Sequence, residues 1–410
     1  MQGDRPCPRC GQLIPVGHAE CPLCARPQGW WKAERDTLLL LSIVALVILF
    51  AITGIAANFY HAGRESLAQE WYARGVIDFK EKNASAALED FRTALAYSPD
   101  PSSDTPIYRL HLAQALVAVG QVEEARSHLL TLWRDEPGNS TVNLELARLA
   151  AQRGDAADAL RYYHNAIYGV WPSDPGAHRL RTRVELSTYL LAQRKKAAAQ
   201  SELIALEAEL PRDAALYTQV AGMLREAGDR NRALGAYRQA LEIDRHQHEA
   251  LIGAGESAFE MGDYQSAVDY LQRAARAGPA SERVHDDLST ARMVLNLDPM
   301  LPRLSRAEAD QRTLRDIEFA AARLDDCRKS LALAPPEGPA ADDLRKLSDL
   351  AEKLKPSAST SALRQNPDLR VNLMDFVSNV EETTAKVCGN PSGVDWALLL
   401  IARKQGTTER

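Results

Sequence analysis

The chain has 410 residues, 45% hydrophobic and 25% charged, with a net charge of −6. This length accommodates two or three domains, and the composition is that of a folded protein. With no global basic field, the balance argues against DNA or RNA as the main partner.

The first feature in chain order is a pair of cysteine knuckles, Cys7-Pro8-Arg9-Cys10 and Cys21-Pro22-Leu23-Cys24. Zinc takes four soft or borderline ligands in a tetrahedron, and a tight Cys-x-x-Cys turn points two thiolates at one ion. Cys7, Cys10, Cys21 and Cys24 are therefore the expected ligands of a Zn2+ ion. The ten residues between the knuckles leave room for a short connecting hairpin, and Gly11 stands where the chain must turn sharply. A segment of about 25 residues cannot bury a core of its own, so the metal would supply its folding energy. Four thiolates leave no open coordination position, which makes the expected role structural. Two disulfides in an exported segment are the alternative. His18 is expected to be a loop residue. The head, residues 1–29, resembles the short zinc ribbons at the N-termini of many bacterial membrane proteins, a likeness confined to about residues 5–27.

Residues 38–57 are twenty residues without a charge, which matches the hydrocarbon thickness of a bilayer. Trp30, Trp31 and Lys32 on one side and Phe59, Tyr60 and His61 on the other are suited to the interface. The run is longer than a typical signal-peptide core and follows a long segment, so a signal anchor is expected rather than a cleaved leader. Arg26, Lys32 and Arg35 precede it, while Arg64 and Arg74 follow. The charge bias and the need for free thiolates both favour a cytoplasmic head. The span would then sit in a bacterial inner membrane, with the repeats outside the cytoplasm.

A period of about 34 residues begins at residue 68 and fills 68–296 together with a capping helix at 282–296. Its copies are 68–101, 106–139, 140–173, a degenerate 180–213, 214–247 and 248–281. Copy 214–247 carries Ala221, Gly228-Asp229, Ala233, Tyr237 and Ala240, and copy 248–281 carries Gly255, Gly262-Asp263, Ala267, Leu271, Ala274 and Pro279. Small residues at positions 8 and 20 let two helices approach closely. A larger residue at 24 fills the gap to the next hairpin, and glycine at 15 releases the chain into a turn. This pattern resembles the tetratricopeptide repeat family. The resemblance implies an all-α superhelical solenoid whose first helices line a concave groove for a protein or peptide ligand.

By that resemblance, groove positions 2, 5, 9 and 12 place Tyr72, Val76, Phe79, Ile107, Leu110, Gln114 and Leu144 in the early repeats. Arg148, Arg181 and Arg225 follow, then Glu249, Glu256 and Glu260. The chaperone-binding members hold a C-terminal carboxylate with a Lys/Asn clamp. Tyr72 and Val76 stand at the relevant positions here, so that clamp is missing and an apolar or amphipathic ligand fits better. Packing against neighbouring helices is the alternative role for each of these residues.

In residues 300–410 we recognise no family pattern. Helices are expected over 306–333, 340–354, 369–387 and 393–404, with a break at Pro335-Pro336-Glu337-Gly338-Pro339. Cys327 and Cys388 can form a disulfide if this part is extracytoplasmic, and two unpaired structural cysteines are the alternative.

The chain has no phosphate-cradling Gly-x-x-x-x-Gly-Lys-Ser/Thr loop, no His-Glu-x-x-His and no Gly-x-Ser-x-Gly. The expectation is a non-enzymatic membrane-anchored scaffold or adaptor with no small-molecule substrate. The alternative is a regulator of envelope biogenesis or proteolysis. The lipopolysaccharide assembly regulators also combine one membrane helix, such repeats and a cysteine knuckle, although their knuckle is at the opposite end.

Overall fold

The structure is a computed structural model that describes residues 3–25, 29–98, 104–331, 339–356, 358–366 and 368–408. Arg26 and Pro335 to Gly338 lie outside the described residues, as do the side chains of Trp30, Trp31, Lys32 and Arg35. The described residues are all-α apart from one two-stranded hairpin, β1 (Arg5–Pro6) with β2 (Leu13–Ile14), paired antiparallel with Arg5 opposite Ile14. The strands flank the first cysteine knuckle, whereas the expected hairpin lay between the knuckles. The segment is so short that only the residues bracketing the turn can pair.

Helix α1 spans Gly29–Lys80 and α2 spans Ala84–Tyr97. They are followed by α3 (Thr105–Ala118), α4 (Val122–Asp135), α5 (Ser140–Gln152), α6 (Ala156–Tyr168), α7 (Pro175–Ala192) and α8 (Lys196–Glu207). Next come α9 (Ala214–Ala227), α10 (Arg230–Ile243), α11 (His248–Glu260), α12 (Tyr264–Ala277) and α13 (Glu282–Leu297). The C-terminal part holds α14 (Arg306–Leu331), α15 (Pro339–Leu354), α16 (Thr360–Gln365), α17 (Leu369–Cys388) and α18 (Gly393–Thr408). The chain divides into two compact units, Met1–Leu149 and Ala150–Arg410, with the division inside α5.

The helical hairpins obey one rule of fit. Position 20 of every copy is a fully buried alanine: Ala87, Ala125, Ala159, Ala199, Ala233 and Ala267. Position 24 is a buried large side chain each time: Phe91, Leu129, Tyr163, Leu203, Tyr237 and Leu271. Where position 8 is glycine, the large residue of the same copy occupies the space of the missing methyl. A Cβ on Gly75 would meet the Phe91 ring at 2.7 Å, and one on Gly255 would meet Leu271 at 2.5 Å. The turn at position 15 is left-handed in all six copies. Glycine takes it at Gly120, Gly154, Gly228 and Gly262, but Lys82 (φ 63°) and Arg194 (φ 57°) hold the same conformation without that freedom. Aspartates then cap the second helices. Asp155, Asp229 and Asp263 accept hydrogen bonds from backbone N–H groups three residues on.

Two departures concern continuity. The expected membrane segment and the first helix of the first repeat form one unbroken helix, because residues 58–67 contain no proline and Gly63 alone does not break it. Helix α16 was not anticipated, being too short for periodicity to reveal. Its start is capped by the Ser359 hydroxyl, and Leu363 is its buried residue.

In the second unit the last repeat shares its core with the C-terminal helices. Tyr264, Ala267, Val294 and Leu297 lie in one cluster with Ala320, Leu324, Phe376, Val380 and Leu398. Two carboxyl groups sit inside this region. Asp316 and Glu381 are fully buried, and neither has a hydrogen-bond partner for its carboxylate oxygens among the described residues. Burial pushes Glu381 up to about 8, with Asp395 adding to the rise and Arg323 opposing it. Burial likewise pushes Asp316 up to about 7 against the pull of Arg315.

Two stability predictions follow from this packing and burial. Arg194→Gly relieves a left-handed backbone and raises stability by about 1 kcal/mol, whereas Gly255→Ala displaces Leu271 and lowers it by about 1–3 kcal/mol. Thermal unfolding midpoints of the chain in detergent check both signs. The folded state holds the Glu381 proton more tightly than the unfolded chain. Its contribution is therefore fully present below the ordinary value of 4.5 and is lost as pH rises through about 8. Glu381→Gln removes that loss, so urea unfolding should find it more stable than the parent by on the order of 2 kcal/mol near pH 9, with the gap closing near pH 4.

Candidate binding groove and cysteine cluster

The cysteine cluster is built by two backbone turns. In the first, the Gly11 N–H donates to the Cys7 carbonyl at 2.9 Å, with Gly11 at φ 72°. In the second, the N–H groups of Cys24 and Ala25 donate to the Cys21 carbonyl. The four sulfurs all lie within 4.8 Å of one another. Cys7 Sγ is 3.9 Å from Cys24 Sγ, and Cys10 Sγ is 3.7 Å from Cys21 Sγ. A tetrahedron with Zn–S bonds of about 2.3 Å has edges of about 3.8 Å, so the four cysteines fit a structural zinc ion.

Electrostatics agrees with this fit. The backbone N–H groups of Arg9 and Cys10 pull Cys7 down to about 7. Sharing protons with Cys10 pushes Cys24 up to about 12. Four sulfurs this close cannot all ionise unless a cation lies among them. His18 is exposed and lies outside the cluster.

In the first unit, α1, α3 and α5 bring the early groove residues together. Tyr72 is half-buried, with its ring centroid 4.8 Å from Tyr108, 5.3 Å from His111 and 5.8 Å from Phe91. Its hydroxyl lies 3.4 Å from His111 Nδ1. Burial raises the Tyr72 phenol above its ordinary range, and burial followed by the Asp104 charge takes Tyr108 up to about 12, so both rings stay neutral. Phe79 packs 6.3 Å from Phe91, Val76 three residues earlier is half-buried, and Ile107 is exposed. Leu110 and Leu144 are half-buried. Gln114 donates to Glu145 at 2.9 Å, and Arg148 approaches the same carboxylate oxygen at 3.4 Å. The result is an apolar, aromatic surface ending in an amide–carboxylate–guanidinium cluster. It can bury apolar side chains and read hydrogen-bonding groups, which is recognition chemistry.

The second unit treats its expected groove residues differently. Arg181 is exposed, with Nε donating to the Ala177 carbonyl of its own helix at 3.4 Å. Arg225 is ion-paired with Glu256, whose other oxygen lies 3.8 Å from Arg283. Arg230 pairs with Glu260 at 2.7 Å. Arg225 with Glu256 and Arg230 with Glu260 thus neutralise each other locally, while Arg181 keeps an exposed charge. Sequence reasoning missed His111 and Glu145, which both occupy position 6. The signal available was a polar residue at that position in two successive copies.

Cys327 on α14 and Cys388 at the end of α17 are joined as a disulfide, with Cα atoms 5.8 Å apart. Arg323, one turn before Cys327, donates to the Gly389 carbonyl at 3.1 Å.

Among the described residues one helix is long and apolar enough to cross a membrane, and no part of its apolar window is buried within the protein. Residues 78–149 and 224–288 match the tetratricopeptide repeat family. The fold is all-α and carries these repeats. A curated relative, "TPR repeat-containing thioredoxin TTL4" of Arabidopsis thaliana, is 31% identical over 121 residues. That match covers 30% of this chain and only 17% of the relative's length. Among solved structures, the type IV pilus biogenesis factor PilW is 16% identical, with 55% of this chain and 98% of that one covered and a TM-score of 0.38. The C-terminal part of a TPR repeat-containing protein from Cytophaga hutchinsonii is 15% identical, covering 65% of this chain and 96% of that one with a TM-score of 0.43. YrrB, described as a TPR protein with an unusual peptide-binding site, is 16% identical over 48% of this chain and 96% of its own, with a TM-score of 0.37.

Zinc content tests the cysteine cluster. The chain purified under reducing conditions should carry about one zinc per molecule, and Cys21→Ser should lose it. Acid should release the metal, because protons compete for the thiolates. Absence of zinc, with a mobility shift on adding reductant to a Cys327→Ser/Cys388→Ser variant purified without reductant, would indicate disulfides among the four head cysteines instead.

Proposed function

We propose that this chain is a single-pass membrane-anchored scaffold whose repeats hold a segment of another protein. The observation that carries the reading is an apolar helix run left entirely uncovered, continuous with repeats whose first helices present a recognition surface. The ligand on this reading is an apolar or amphipathic peptide segment seated against Tyr72, Phe79, Leu110 and Leu144. Its polar groups would meet Gln114, Glu145 and Arg148. The zinc head serves as a structural, cytoplasmic docking module, and the repeats lie outside the cytoplasm. Two features support this orientation: a thiolate cluster suited to a reducing compartment and a cysteine pair geometrically joined on the other side of the apolar run. The side chains that line the surface bind and orient a partner, with no reacting group assigned among them.

Photo-crosslinking in native membranes tests the reading, with the probe at Leu110, Leu144 or Arg181. A discrete protein adduct at Leu110 or Leu144 is expected, and the compartment of that partner reports the topology. Absence of adducts at all three positions from folded, abundant protein would overturn the groove as a binding site.

A further inference from the structure

Helix α1 carries more information than an anchor needs. It contains no proline and runs unbroken through the end of the apolar run at Ala57 to Lys80, a further ~35 Å at 1.5 Å per residue. Helix α2 packs antiparallel along this extension. Phe91 sits over Gly75, Arg74 lies 3.7 Å from Asp90, and Ala68 is buried. Nearest the apolar run, Arg64 Nη2 donates to the Ala96 carbonyl at 2.8 Å, tying the last turn of α2 to α1. The C-terminal end of α2 therefore returns to a level only about 10 Å beyond Ala57. The headgroup layer on each side of a bilayer is roughly 5–7 Å thick, so the backbone at this end of the hairpin stands about 3–5 Å above it, a gap that the long side chains of Arg64 and Tyr97 can span.

The side chains between Ala57 and that level suit such a surface. Phe59 and Tyr60, about 3–5 Å beyond Ala57, are exposed, as is Tyr97 at the end of α2. Arg64 stacks on the Tyr60 ring at 5.9 Å to its centroid. Tyrosine rings with an apolar body and a polar tip favour the interface, and a guanidinium matches lipid phosphate. We propose that α1 is a rigid strut seating the first repeat hairpin on the lipid headgroup layer, with Tyr60, Arg64 and Tyr97 as its contacts. This rests on the membrane-anchored reading and adds a fixed geometry to it. Tyr72 and Phe79 then stand about 22 and 33 Å beyond Ala57 along α1. A partner that meets both does so with a segment outside the bilayer, not with its own membrane-buried helix.

The test uses the full chain reconstituted in phosphatidylcholine vesicles containing a headgroup-quencher lipid. A fluorescent amino acid is incorporated at Tyr97 and, separately, at Glu81 beyond the far end of α1. Quenching at 97 should exceed that at 81 by about threefold or more, given the separation along α1. A short run of glycines inserted between His61 and Ala62 should erase the difference. Equal quenching at the two sites, or a difference unchanged by the insertion, would overturn the strut. Alkaline carbonate distinguishes the two failures. A chain extracted by it overturns the membrane anchor and the strut together, whereas a retained chain with no quenching difference overturns the strut alone.

Discussion

The architecture depends on one packing constraint: a large side chain at position 24 must find a small one opposite. Each position-24 residue here is buried, and each is worth on the order of 1.5–3 kcal/mol of apolar transfer. That gain exists only because position 20 is alanine in every copy and position 8 is glycine, alanine or serine. Interiors packed to crystal density have no slack for an added methyl, as the 2.5 Å approach at Gly255 shows. Sequence drift elsewhere is tolerated so long as this fit survives. Copy 180–213 keeps Ser187, Ala199 and Leu203, all fully buried, although its turn residue is Arg194 rather than glycine.

The same constraint decides which surfaces remain for recognition. Positions 8, 20 and 24 are consumed by packing, so the first helices are left with residues at other registers. In the first unit these are aromatic and aliphatic, and they close on themselves only partly, as the Tyr72–Tyr108–His111 contacts show. In the second unit Arg225, Glu256 and Arg283 satisfy one another. Internal ion pairs of this kind hold the surface shape while withdrawing charge from any ligand. The two units therefore offer different chemistry despite sharing a repeat.

Much of this was legible in the chain itself. The helical hairpins, their turns and the small-residue positions follow from a strict period, because the fit at positions 8, 20 and 24 restricts residue type. The cysteine spacing was equally readable, since Cys-x-x-Cys geometry is local. What escaped was non-local or too short to be periodic. The fusion of the apolar run to the first repeat depends on the absence of a break over residues 58–67. The shared core of Tyr264, Leu324 and Phe376 joins residues more than a hundred positions apart, and no period announces it. His111 and Glu145 were passed over because the family's groove positions were applied as a rule. Pairing of Arg225 with Glu256 required distances that no composition provides.

On the proposed reading, the membrane also reconciles two chemistries that one compartment would set against each other. Cys7, Cys10, Cys21 and Cys24 need to remain thiolates to hold a metal, while Cys327 and Cys388 are joined. A reducing environment maintains the first and opposes the second; an oxidising one does the reverse. Among the described residues between these groups, the apolar run at 38–57 is the feature that can separate two compartments. Its continuity with the first repeat makes the separation mechanical as well as chemical. Each side of the membrane then carries one cysteine chemistry, and α1 passes the position of the span directly into the first hairpin.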